Sequence, residues 1–205
     1  MRPDVRLVNL ISDEVQYSNL GWEGQQICLR KLLRDKDEDA SLADPSSELE
    51  TAPQPLDLSI HRARPHESAS ISRLAYLSYG YTYFNEYIYD PEQIRMRIED
   101  GRLICYLAVN KENGEIVGHG AIVPDYLSGI PKLASGFVHP TYRGKNCIKD
   151  LTAYLIDEAH RMRFEGVFTT AVTSHPYTQS SSIRFGMKES ALFVSRCGQS
   201  IRPPG

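Results

Sequence analysis

The 205-residue chain holds no run of about 18 apolar residues, the length that a membrane-spanning helix needs, so no membrane partner is expected. Its start, MRPDVRLVNLISDEV, puts charges where a signal peptide would carry its apolar stretch, which points to a cytoplasmic location rather than export. Cysteine is scarce and scattered. Cys28, Cys105, Cys147 and Cys197 show no CxxC or Cys/His ligand spacing, which argues against a disulfide framework and against a metal, and fits reduced thiols. Nor is there an excess of basic residues: 23 Lys+Arg face 26 Asp+Glu, a net charge of -3. General attraction to nucleic acid is thereby excluded, and any partner must be argued from a site.

Large apolar side chains nearly vanish between residues 35 and 56, DKDEDASLADPSSELETAPQPL, a stretch too polar to offset the entropy of ordering it. An acidic flexible linker is expected there, dividing a short first piece, 1 to 34, from a complete domain, 57 to 200. The rest of the chain is not poor in apolar residues. At 41% hydrophobic and 24% charged it can build a packed core.

The element order follows from periodicity. LSIHRAR, 58 to 64, alternates as a strand; Ile71, Leu74, Ala75 and Leu77 then recur at helical spacing, with Ser68 or Ser70 as cap and Gly80 as exit. Pro91 suits the first turn of a second helix and Gly101 its end. Residues 103 to 123 read as a hairpin turning at Glu112, Asn113 and Gly114. KLASGFVHP and VFTTAVTSH are further strands, with a long helix between them carrying Ile148, Leu151, Leu155, Ala159 and Met162 on one face. A strand, helix, strand crossover implies two parallel strands beneath that helix.

Residues Arg143, Gly144, Lys145 and Asn146 lie at the mouth of this helix. A helix start exposes unpaired N–H groups and partial positive charge, Arg143 and Lys145 add full charges, and Gly144 permits close approach of the main chain. A diphosphate is the candidate ligand, because the turn follows a strand and opens a crossover helix. The alternative is an ordinary polar turn with solvated basic residues.

At these residues the chain resembles a known family. EIVGHGAIV, GFVHPTYRGKNCIKDLTAYLIDEA and RFGMKES, in that order, look like the GNAT superfamily of acyl-CoA-dependent N-acyltransferases, over roughly residues 57 to 198. The resemblance implies an α/β fold, a mostly antiparallel mixed sheet with helices on both faces and a splayed parallel strand pair. It implies acetyl-CoA as co-substrate, with an amine-bearing small molecule or protein amine attacking directly. Phe137 and Val138 would hold the pantetheine arm, and an amide near Val138 would polarise the thioester carbonyl. The family's Arg/Gln-x-x-Gly-x-Gly/Ala turn falls on Arg143, Gly144, Lys145, Asn146, Cys147 and Ile148, so Asn146 and Ile148 stand where glycines are usual. Asn146 tolerates unusual backbone angles. Ile148 either crowds the phosphates or turns inward as the first core residue of the helix.

Ser182 occupies the place where many members of that family carry a tyrosine acid. Tyr177 and His175, at the end of the last quoted strand, are therefore the candidate catalytic residues. His119 and His139 are weighed as bases against the commoner role of structural imidazoles. Cys147 is read as a small buried residue rather than a nucleophile. The tyrosines 76, 79, 81, 83, 87 and 89 suit either an acceptor pocket or the packing of irregular loops.

Residues 6 to 34 are too few for a core of their own and read as a brief helix, a strand, a turn and another strand. They resemble the C-terminal end of histidine-kinase-like ATPase domains of the anti-sigma-factor type, which precede acyltransferase domains in some bacterial proteins. The parts of such domains that hold ATP have no counterpart here, so no ATP binding is expected. The piece is expected either to be poorly ordered or to borrow a surface from the acyltransferase domain. The leading expectation is an acyltransferase. A coenzyme A-sensing or interaction module that has lost turnover is the alternative, and a homodimer is left open.

Overall fold

The computed structural model describes residues 7–8, 26–32, 56–172 and 177–193. The elements are β1 (Leu7–Val8), β2 (Gln26–Leu32), β3 (Leu58–Arg62), α1 (Ser68–Tyr79), α2 (Pro91–Glu99), β4 (Ile104–Asn110) and β5 (Ile116–Val123). They continue with β6 (Lys132–Val138), α3 (Cys147–Arg161), β7 (Gly166–Val172), α4 (Tyr177–Arg184) and β8 (Lys188–Phe193). One sheet runs in the order β1-β8-β2-β7-β6-β5-β4-β3, and only β6 and β7 pair in parallel. The expected mixed sheet with one parallel pair is therefore present.

Strand β4 shows why helices cover both faces. Ile104, Tyr106 and Ala108 pack into a core shared with α3, while Cys105 and Leu107 pack with α1 and α2 on the opposite side. This is the two-residue period of a strand buried on both faces. Against α3 lie Leu151, Leu155 and Ala159; against α1 and α2 lie Ile71, Leu74, Ala75 and Ile94. Two glycines of β5 bring α3 close. A Cβ on Gly118 would stand 2.7 Å from Cys147 Sγ and 2.8 Å from Leu151 Cδ1, and one on Gly120 2.8 Å from Leu155 Cδ1. The helix thus rests on bare backbone at both positions.

The hairpin turns where the sequence placed it. Asn110 Oδ1 accepts from the Glu112 N–H, Asn113 Oδ1 from the Glu115 N–H, and Gly114 adopts φ 73°. Asp90 caps α2, its Oδ1 accepting from the Glu92 and Gln93 N–H groups ahead of Pro91. Capping of α1 differs from expectation. Neither Ser68 nor Ser70 caps it, because a 3-10 turn, Pro65–Glu67, leads into the helix and Glu67 Oε2 accepts from the Arg64 N–H instead. Leu77 is also displaced from the expected apolar face and stands 42% exposed, since Ser78 takes the inward position and sends its hydroxyl to Leu74 O at 2.8 Å.

The first piece contributes to the same sheet. β2 lies between β7 and β8, antiparallel to both, and pairs with β7 from Gln26↔Val172 to Leu32↔Gly166. Lys31 Nζ donates to Phe185 O at 2.8 Å and Ser190 Oγ to Cys28 O at 3.1 Å. The acidic stretch between β2 and residue 56 lies outside the described residues, as does the expected brief helix of the first piece.

Candidate active site

Strands β6 and β7 run together for only two residue pairs, Lys132↔Phe168 and Leu133↔Thr169, closed by a hydrogen bond from Thr169 Oγ1 to Leu133 O at 3.0 Å. Beyond them the parallel ladder stops, and Ala134–Val138 face Thr170–Val172 without pairing. The cause lies in β6. Ser135 adopts φ 52°, and the register to β5 shifts between His119 and Ala121, so β6 carries a bulge. His119 fixes that bulge, its Nδ1 lying 2.7 Å from Ser135 O.

From the end of β6 the chain enters a 3-10 turn, Pro140–Tyr142, in which His139 Nδ1 accepts from the Thr141 N–H. Gly144 then takes φ 77° and Asn146 φ 61°, two left-handed residues that wind the chain into α3. Asparagine does here what the usual glycine would do. The Asp150 N–H donates to Asn146 O at 3.0 Å, whereas the N–H groups from Gly144 through Lys149 reach no protein acceptor among the described residues. A Cβ on Gly144 would meet nothing within 4 Å, so the turn has open space above it. Unpaired amides, a helix N-terminus and that space fit a pyrophosphate.

Two side chains brace the turn. Arg143 Nη2 donates to Ser78 O at 2.9 Å, which ties the turn to the end of α1, and Ser78 Oγ also stands 3.2 Å from Val138 O. Tyr142 Oη donates to Glu115 Oε2 at 2.7 Å and accepts from Asn113 Nδ2 at 3.0 Å, and Lys145 Nζ lies 5.4 Å from the centre of the Tyr142 ring. Ile148 is 39% exposed, so it is not the first core residue of α3; Cys147, 2% exposed, takes that place. The Ile148 side chain instead lies over Gly136, where a Cβ would stand 3.2 Å from Cδ1, beside the opening rather than buried beneath the helix. Gly136 leaves the room for it.

The electrostatics separate the candidates. Burial pushes the Cys147 thiol up to about 12, with Asp150 adding to it, so this residue stays a neutral packing group as expected. Burial drives His119 down to about 4, which keeps the imidazole neutral at pH 7 and makes it too weak to act as a base there. Because its unfolded value is near 6.5, the unfolded chain takes up this proton first as pH falls. Stability is then lost from about pH 6.5 down to about pH 4, and is constant with respect to this group below that. Between pH 7 and 5 the wild type should lose about 2 kcal/mol more than His119→Asn, read from denaturant titrations at both pH values. Equal losses in the two proteins would contradict the buried neutral assignment.

Four of the tyrosines turn toward the bulge. Tyr79 and Tyr83 present their edges to Phe137, with ring centres 6.2 and 6.1 Å away, and Tyr89 Oη accepts from the Tyr83 N–H at 2.9 Å. Burial raises the phenols of Tyr79, Tyr83, Tyr87 and Tyr89, so all stay protonated at neutral pH. Tyr76 and Tyr81 face outward and are exposed. Ser182 is buried, its hydroxyl donating to Thr178 O at 2.8 Å inside α4. Tyr177 is the first residue of that helix, next along the chain from β7, and His175 lies outside the described residues.

Sequence reading brought together Phe137, Val138 and residues 143 to 148. It missed Ser135, Gly136 and Ser78, which shape the opening. The only local sign of the bulge is the glycine pair around His119, GHG, opposite SG in β6. Among the described residues no group of His, Cys, Asp or Glu could hold a metal ion, and no helix is long and apolar enough to cross a membrane.

A sheet split beside a bulged strand, opening onto the free amides of a crossover helix, defines the acetyltransferase class of fold. The family model described as "Acetyltransferase (GNAT) family" matches residues 69–182. The chain belongs to that family. Among solved structures, a GCN5-related N-acetyltransferase from Sphaerobacter thermophilus shares 15% identity at a TM-score of 0.59, over 83% of this chain and 50% of that one. The chain thus spans half the length of that relative. The PaiA N-acetyltransferase from Thermoplasma acidophilum, solved in complex with coenzyme A, shares 14% identity at a TM-score of 0.54, over 67% of this chain and 98% of that one. The yncA protein of Salmonella typhimurium, solved with its cofactor acetyl-CoA, shares 17% identity at a TM-score of 0.54, over 67% and 91%. At these identities the likeness is one of fold. No curated protein matches the chain.

Proposed function

We propose that the chain transfers an acetyl group from acetyl-CoA to an amine by direct attack, in the cytoplasm. The observation that carries this reading is the run of unpaired N–H groups from Gly144 through Lys149 beside the point where β6 and β7 part. Bound acetyl-CoA supplies the acyl carbon and a thiolate leaving group. The chain's own residues hold it. Amides at 144 to 149 take the pyrophosphate, and the unpaired edge of Phe137 and Val138 lines the pantetheine arm. The amine nitrogen bonds to the acyl carbon, the C–S bond breaks, and sulfur leaves with the electron pair and takes up the proton that the amine sheds. A backbone N–H near Val138 stabilises charge on the carbonyl oxygen during this step. Tyr177 and His175 remain the proposed proton carriers.

Titration of the full chain with acetyl-CoA, followed by thiol release with a panel of amines, tests the proposal. Binding with amine-dependent thiol release is expected; absence of binding would overturn it. One observation favours a second reading, a coenzyme A-sensing module: the Ser182 hydroxyl is held by Thr178 O, so the position of the family's usual acid offers none. Binding without thiol release would support that module.

Arg143→Ala should weaken acetyl-CoA about 10-fold by calorimetry, since it removes both a charge at the turn and the tether to Ser78 O. Unchanged affinity would remove Arg143 from the site. Residues 1 to 34 are proposed to descend from the end of an ATPase-type domain stripped of its nucleotide site. Magnesium-ATP should accordingly leave the melting temperature unchanged, and a rise would contradict this.

A further inference from the structure

Buried polar atoms without partners are few in folded proteins, and each calls for an explanation. Among the described residues there are four such side-chain atoms: Ser72 Oγ, Arg97 Nε, His119 Nε2 and Ser135 Oγ. Three of them border one basin on the α1 and α2 side of the bulge. The His119 ring stacks on Phe137, centres 4.7 Å apart, and Phe137 receives the edges of Tyr79 and Tyr83. Ser135 Oγ lies beside the hydroxyls of Tyr83 and Tyr87, and neither meets it in hydrogen-bond geometry. Arg97 stands with its guanidinium 4.4 Å above the centre of the Tyr87 ring.

The chemistry of each unpartnered atom is fixed. Ser135 O can only accept, so the His119 proton sits on Nδ1 and Nε2 offers a lone pair. Arg97 Nε can only donate, and Ser135 Oγ can do either. An occupant that satisfies all three must therefore bring an N–H toward His119 and an acceptor toward Arg97. Charge points the same way. Arg97 acts on Tyr87 and Arg143 on Tyr79, and no carboxylate acts on Tyr79, Tyr83, Tyr87 or Tyr89. A purely cationic acceptor, such as a polyamine or a lysine side chain, would meet two guanidinium groups there and no counter-charge.

We propose that this basin is the acceptor subsite for an amino-acid-like molecule, its amine held by His119 and Ser135 at the bulge and its carboxylate by Arg97. The inference rests on the transferase reading for the role of the amine. His119 is then a positioning residue, accepting a hydrogen bond from the amine without taking its proton. Arg97 sets specificity, its planar donors matching a carboxylate.

The test uses the full chain with acetyl-CoA and three matched series: free amino acids, their carboxamides and their decarboxylated amines. Free amino acids should exceed both other series in kcat/KM by about 10-fold or more. Arg97→Gln should raise KM for free amino acids about 10-fold with little change in kcat and leave the carboxamides unaffected, whereas Arg97→Lys, which keeps the charge, should restore part of the preference. Equal or better use of carboxamides by the wild type, or a uniform loss across all three series in Arg97→Gln, would overturn the proposal. Calorimetry with N-acetyl amino acids against N-acetyl amino-acid amides reads the same subsite without turnover. If thiol release fails but the acids bind preferentially and lose that preference in Arg97→Gln, the subsite stands and the transferase reading falls. Indifference to the carboxylate in both proteins sinks the subsite.

Discussion

Gly144→Val should lower the affinity for acetyl-CoA by about 100-fold or more while leaving folding nearly intact. Gly144 holds φ 77°, and a β-branched residue is poorly accommodated there. The intrinsic penalty for an L-residue in the left-handed region is about 1–2 kcal/mol, and the turn escapes it by swinging to negative φ. That movement re-aims the N–H groups that follow. A distributed cradle of amides loses several hydrogen bonds to charged oxygens at once, each contributing about 1.5–3 kcal/mol, so the loss in binding exceeds the strain itself. No atom lies within 4 Å of the added Cβ, so no core contact is disturbed. Calorimetry and denaturant unfolding on the same preparation separate the two effects. Affinity within a few-fold of wild type would mean that the turn does not anchor the coenzyme.

Leu151→Ala should cost about 3–4 kcal/mol of folding stability, measured by urea unfolding at neutral pH. Leu151 is fully buried on α3, with Cδ1 against the bare backbone of Gly118 and Cδ2 against Gly120. Because the glycines present no side chain, no neighbour on β5 can expand into the vacated space, and the cavity remains. Against a total stability of about 5–15 kcal/mol for an ordinary domain, this is a large share. A cost below about 1 kcal/mol would mean that α3 shifts onto the sheet and refills the gap.

These two residues also show what the sequence could and could not tell. Leu151 was legible because it repeats with Leu155 and Ala159 at helical spacing, and the same periodicity placed the crossover helix, the hairpin and the parallel pair. Gly144 was legible as a turn glycine before a helix. The bulge was not, since Ser135 carries no local sign of φ 52°; its conformation depends on His119 reaching across from the neighbouring strand. Ile148 reads as a core position by periodicity alone. It escapes that role because Gly136, on a different element, leaves it a place at the rim. The entry of β2 between β7 and β8 was illegible for the same reason. The open hydrogen-bonding edges that it fills belong to strands more than 130 residues further along the chain.

Backbone amide NMR of the isotope-labelled chain, titrated with acetyl-CoA, tests the site most directly. The largest shifts are expected at Gly144 through Lys149 and at Gly136 through Val138, with β3 and α2 little changed. Saturable binding whose shifts leave residues 144 to 149 untouched would place the coenzyme elsewhere and contradict the account.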